Sequence, residues 1–200
     1  MKILLDNGHG FDTPGKRSPD GHFREYAYNR YLAFLIRERL TTLGLDCQII
    51  VPEREDIPLK ERCRRVNVVC RQLGNNQVIL ISIHVNAAGN GRKWLDARGW
   101  SCFTTRGKTK ADALATCLYD AAKNHLLGMR LRTDNTDGDP DIEKDFYIIR
   151  HTNCPAVLTE NLFMNNREDV AFLESAEGSN AIVNLHVEGI ITYIRRCNAE

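Results

Sequence analysis

Apolar positions along the chain follow two alternating rhythms: short runs of strand length, and longer stretches spaced for one face of a helix. Residues 2–6 form an apolar run that stops at Asn7-Gly8 and predict a first strand. In residues 25–43 the positions Leu32, Leu35, Ile36, Leu40 and Leu43 recur at helical spacing, and Gly44 is a natural stop. Residues 45–51 predict a second strand. Pro58 opens a helix carrying Leu59, Cys63, Val66, Cys70 and Leu73 up to Gly74. Residues 78–85 predict a third strand and 99–105 a fourth. Helical spacing returns at Leu114, Cys117, Leu118, Ala121 and His125, with Gly128 as terminator. The turn-rich "RTDNTDGDPD" makes 129–144 a long loop. Strands at 145–150 and 155–160, a short helix near 167–174 and a last helix over roughly 179–196 complete the pattern.

This alternation predicts an α/β fold: a mostly parallel, twisted sheet of about six strands with helices on both faces. There is no internal repeat and no low-complexity tract. With 200 residues, 42% of them hydrophobic, the chain supplies one sizeable core, and residues 1–200 read as a single catalytic domain.

Charge narrows the function by exclusion. The 27 basic residues nearly cancel the 26 acidic ones, leaving +1, which argues against a partner held by bulk electrostatics, nucleic acid or anionic membrane. No apolar run approaches the roughly 20 residues that span a bilayer. After Lys2, only Ile3, Leu4 and Leu5 precede Asp6, too few for the apolar segment of a signal peptide. The cysteines at 47, 63, 70, 102, 117, 154 and 197 form no CxxC pair and are odd in number. They predict reduced, buried thiols suited to a reducing compartment.

Candidate chemistry begins in "LDNGHGFDTPGKRSPDGHFRE", residues 5–25. From Gly10 it imitates a phosphate-binding loop, but Arg17 stands where the magnesium-binding hydroxyl belongs, and "SPDG" prolongs the loop where a helix should start. A metal fits better. His9 follows the first strand, where open α/β sheets place ligands, and Glu25 opens the next helix. His84 ends the third strand in "ISIHVNA", where period two puts Ser82, His84 and Asn86 on one face. Two histidines and a glutamate form a His₂Glu zinc set with one open position. Each residue also has a plainer reading: a loop histidine, a helix-start carboxylate, a hydrogen-bonded core histidine. Glu160, at the end of the apolar run "PAVLTE", is a candidate base for water at that open position, or else an exposed strand-end carboxylate.

In order along the chain, "ILLDNGHG", "REYAYNRYLAFLIRERL", "REDIPLKERCRRVN", "ISIHVNA" and "PAVLTENLFMNNREDVAFL" resemble the zinc-dependent N-acetylmuramoyl-L-alanine amidases of the amidase-3 type. Members of that family cut bacterial peptidoglycan. The resemblance implies Zn²⁺ bound by His9, Glu25 and His84, Glu160 as catalytic acid/base, and hydrolysis of the bond between muramic acid and L-alanine. It departs from the family at Phe11 and Leu162, where glycines are usual, and in its unusual first loop. These departures bear on substrate fit more than on metal binding.

Asn86 is a candidate substrate contact, with plain turn chemistry as its alternative. Arg150, placed at a strand end, is a candidate for a substrate carboxylate, with a structural ion pair as its alternative. His22 and His151 could approach the cleft; His125 and His186, on amphipathic helices, read as structural. The expected partner is peptidoglycan, a muramyl peptide. Two other functions share these residues: a zinc peptidase or amidohydrolase on another peptide, and a wall-binding module without catalysis. A chain made in the cytoplasm that reaches the wall after release, or one whose leader has been removed, reconciles the expected substrate with the missing signal.

Overall fold

A computed structural model describes residues 1–199. It contains six strands: β1 (Lys2–Asn7), β2 (Cys47–Ile49), β3 (Val78–Asn86), β4 (Ser101–Thr104), β5 (Ile142–Glu143) and β6 (Ala156–Phe163). They form one sheet in the order β2-β1-β3-β6-β4-β5. Every neighbouring pair is parallel except β4 against β6. The helices are α1 (Glu25–Thr42), α2 (Leu59–Leu73), α3 (Lys110–His125), α4 (Tyr147–Arg150), α5 (Arg167–Glu174) and α6 (Ala176–Ala199).

Period two divides the strands between two cores. Ile3 and Leu5 of β1, with Ile79, Ile81 and Ile83 of β3, pack against α1, α3 and α6. Leu4, Leu80 and Leu158 point the other way, toward α2 and α4. Both faces are therefore covered, as a mostly parallel sheet requires. The chain leaves β1 through α1 to reach β2 on one side, then returns through α2 to β3 on the other. The carboxyl ends of β1 and β3 thus part at a topological switch point, where such sheets open a ligand crevice.

The expected strand at 145–150 is not one: these residues enter the helix α4. The Arg150 N–H donates to the Phe146 carbonyl and that of His151 to the Tyr147 carbonyl. Ile148 and Ile149 both pack into the second core, which strand alternation would have forbidden. A short apolar run carries no period that separates the two states. The sixth strand is instead β5, inside the stretch read as loop. Helix α3 starts at Lys110 because Thr109 and Asp112 form a capping box, and β6 continues three residues beyond Glu160. All seven cysteines are free, five of them buried. No helix among the described residues is long and apolar enough to cross a membrane.

Candidate metal centre and acid/base carboxyl

The tip of β1 is shaped by close approach. A Cβ on Gly8 would stand 2.2 Å from the His84 ring, and one on Gly10 would stand 2.0 Å from the Asp56 backbone nitrogen. Only glycine fits either place. Between them His9 takes a left-handed conformation, φ 66°, which costs an L-residue about 1–2 kcal/mol. Surrounding bonds hold it there. The Arg30 guanidinium donates to the His9 carbonyl at 2.8 Å, and Asn29 Nδ2 donates to the Gly8 carbonyl at 3.2 Å. Beneath the turn, buried Arg62 donates to Asp6 at 2.6 Å and to the Asn7 carbonyl, while Ser82 Oγ donates to the other Asp6 oxygen at 2.6 Å.

On the neighbouring strands His84 and Glu160 stand directly opposite each other in register. Past them the ladder slips: Asn86 pairs with Phe163, so β6 carries one residue more than β3. Leu162, inside this bulge, has φ 66° and is fully buried. A left-handed residue in a bulge is ordinarily a glycine. The glycine that the resemblance led to expect at this position would suit the backbone, which is adopted here by a strained leucine. The bulge also aims Asn161, which donates to the His84 carbonyl at 3.0 Å and accepts from Trp100 Nε1 at 2.9 Å.

Helix α1 brings the third ligand candidate. Glu25 Oε1 lies 3.2 Å from His84 Nδ1 and 3.4 Å from His9 Nε2, and it accepts the Val85 N–H at 3.1 Å. One ligand atom from each of His9, Glu25 and His84 lies within 4.8 Å of the others, a group able to hold a metal ion. Glu25 Oε2 is buried without a hydrogen bond, so it keeps a lone pair for a cation. Two imidazoles and one carboxylate are the donor set zinc prefers. The residues fit the group.

The charges are sorted as such a site needs. Burial would raise Glu25, but hydrogen bonds from His84 and His9 outweigh it and hold the carboxyl well below its ordinary range. Burial depresses His9 despite Glu25. At His84 burial again works downward, but Glu25 prevails and the ring is raised. Glu160 is pushed up to about 7, first by burial, with Glu25 adding to the effect and His84 opposing it. Its Oε2 also lacks a hydrogen bond.

The other candidates separate. Asn86 Oδ1 accepts its neighbour Ala87's N–H at 2.8 Å, a local turn bond at the rim of the site. Arg150 is not brought to this edge. Because α4 replaces the expected strand, it lies beside Asn76, Thr109 and Pro155, at the opposite ends of β3 and β6. His151 stacks on Tyr147 in the same quarter, ring centres 4.0 Å apart. Exposed His22 pairs with Glu174 at 3.3 Å. His125 pairs with Glu188 at 2.6 Å, and buried His186 bridges Thr159 and the Ile182 carbonyl, so both are structural. Sequence reasoning missed Arg30 and Asn161, which hold the backbones of the candidate ligands His9 and His84, and Arg62, which braces the turn before His9. The one local signal was Asp6, a carboxylate inside an apolar strand.

Comparison with known proteins supplies the rest. The sequence profile described as "N-acetylmuramoyl-L-alanine amidase" (Amidase_3) matches residues 3–192. An endolysin of Bacillus phage SPP1 is 28% identical over 134 residues, 66% of this chain and 44% of that protein. The N-acetylmuramoyl-L-alanine amidase CwlM of Bacillus licheniformis is 26% identical over 192 residues, 95% of this chain and 67% of its own length. The match thus spans less than half of the endolysin. Among solved structures, N-acetylmuramoyl-L-alanine amidase AmiC2 of Nostoc punctiforme superposes with a TM-score of 0.80 at 20% identity, covering 98% of both chains. That likeness establishes the fold.

Proposed function

We propose, on the premise that the chain belongs to the Amidase_3 family of N-acetylmuramoyl-L-alanine amidases, that it hydrolyses the amide between the lactyl group of muramic acid and L-alanine in peptidoglycan. In this reading residues 1–200 act as one catalytic unit on the cell wall. The observation that carries it is the pairing, at one sheet edge, of the His9–Glu25–His84 group with a carboxyl tuned to about 7, Glu160, directly opposite His84.

His9, Glu25 and His84 would hold zinc, which supplies Lewis acidity toward a carbonyl and acidifies water. The chain does the remaining work. Glu25, held ionised, contributes a permanent negative charge. Arg30 and Asn161 fix the backbones of His9 and His84 and so the directions of both rings. Glu160 takes a proton from the attacking water onto its carboxylate. It then returns a proton to the amide nitrogen, which leaves as the amine of L-alanine. A group with a pKa near 7 can do both at neutral pH. Asn86, at the rim, is a proposed substrate contact.

Digestion of purified sacculi, with elemental analysis of the same protein, tests the proposal. The expected result is one zinc per chain and new L-alanine amino groups without new reducing sugar ends. Protein that sediments with sacculi and releases nothing, or cleavage at a different peptide bond, would overturn it.

A further inference from the structure

The first loop presents a cation that the proton transfer does not use. The Lys16 carbonyl accepts the N–H of Glu25 at 3.1 Å, and a backbone bridge between Arg17 and Arg24 closes the loop just beyond. The loop's other end is tied as well: the Phe11 N–H donates to the Arg54 carbonyl at 2.9 Å, and the Asp56 N–H to Asp12 Oδ1 at 2.7 Å. Lys16 therefore hangs from a backbone tied on both sides.

That side chain points at the site. Its ammonium lies 3.8 Å from Glu25 Oε2, with 39% of the Lys16 side chain exposed against 1% for Glu25. At that separation the contact is electrostatic and leaves the ammonium's donors available. The ammonium thus stands beside the ligand group, with one side open to solvent. Past it the loop opens into a pocket of about 280 Å³, whose lining includes Phe11, Arg17, Arg24 and Tyr26 beside Lys16. Asp12, the pocket's only carboxylate, has one oxygen already engaged by the Asp56 N–H. The pocket invites an anion.

The scissile amide narrows which anion. On its sugar side lie hydroxyl, acetamido and ether groups, all neutral. Carboxylates occur on its peptide side, the first of them on the residue after L-alanine when that residue is acidic. One residue of chain is about 3.5 Å, a displacement that a four-carbon lysine stem can follow. Resting on the amidase reading above, we propose that Lys16 binds this carboxylate. The enzyme then selects stem peptides whose residue after L-alanine carries a free acid over those in which it is amidated.

Two muramyl-peptide substrates that differ only in that group, acid or primary amide, test the inference with wild type, Lys16→Met and Lys16→Arg. Wild type should favour the acid in kcat/KM by about 10- to 100-fold, the usual worth of a charge-assisted hydrogen bond. Lys16→Met should bring the ratio near one by slowing the acid substrate far more than the amide, and Lys16→Arg should restore part of the preference. Equal use of both substrates by wild type, or a preference that survives in Lys16→Met, overturns the proposal. Calorimetric binding of the same two compounds separates the two readings. Tighter binding of the acid that depends on Lys16, without cleavage of either compound, would sink the amidase reading and keep Lys16. Binding that ignores the carboxylate would sink the role of Lys16 whatever the cleavage result.

Discussion

Glu25 at the start of α1 and Glu160 in the bulged end of β6 are carboxylates at the same sheet edge, and their surroundings treat them in opposite ways. Glu25 receives two imidazoles and a backbone N–H on one oxygen and is held ionised. Glu160 receives burial, a nearby negative charge and no hydrogen bond on Oε2, and is raised to about 7. Part of that rise comes from Glu25 itself. The lesson is that burial alone assigns no role; the partners supplied decide whether a buried carboxyl becomes a ligand or a proton carrier.

The comparison breaks most directly at Glu160. Glu160→Gln keeps shape and removes proton transfer, so sacculus hydrolysis should fall about 10²- to 10⁴-fold while zinc content is unchanged. Near wild-type turnover would place the acid/base elsewhere. Glu25→Gln should instead fail at the metal, losing stoichiometric zinc on dialysis.

Stability against pH sharpens the contrast in chelator-treated protein. Glu160 has a folded value near 7 against an ordinary 4.5. Its contribution is therefore present below 4.5 and lost as pH rises through about 7. Glu160→Gln escapes that loss and should gain on wild type between about pH 5 and pH 8, by up to ~3 kcal/mol. For Glu25, burial is outweighed by its histidine partners. Its contribution is present above the unfolded value and is lost as pH falls. Glu25→Gln should be less stable than wild type at neutral pH, with the gap narrowing as acid is added. Urea midpoints across this range measure both; slopes of the same sign would refute the contrast.

The smallest effect concerns the bulge that carries Glu160. Leu162→Gly loses a buried side chain, typically about 2–5 kcal/mol for truncation, but recovers about 1 kcal/mol of left-handed strain. Leu162→Ala loses the burial and keeps the strain. Alanine should therefore be the less stable of the two by about 1 kcal/mol, the reverse of the order in ordinary strands. Calorimetric melting of the two variants decides it.

Much of this was legible in the chain because strand ends announce themselves. Apolar runs closing on His84 and on Glu160 located the edge, and alternation in "ISIHVNA" placed His84 on the correct face. Glu25 was readable because it opens an amphipathic helix. Helix α4 was not, since "FYIIR" is too short to show a period. Arg150 was misplaced along with it. The roles of Arg30 and Asn161 depend on contacts across the fold, and no local pattern marks them. The left-handed backbone of Leu162 was hinted at only by the missing glycine. The cap at Thr109 was readable, from Thr-x-x-Asp, and was overlooked.

The strand order has a consequence for synthesis on the ribosome. β6 lies between β3 and β4, and β4 has only β6 and β5 as neighbours. A nascent chain halted before Ala156 holds β1, β2 and β3 with His9, Glu25 and His84, but it has no place to dock β4 and β5 and lacks α6, which covers the first core. Its half-built sheet ends at an open β3 edge and lacks Glu160. On the proposed roles, translation makes the three ligands before the acid/base carboxyl, so prematurely terminated products should leave the wall uncut.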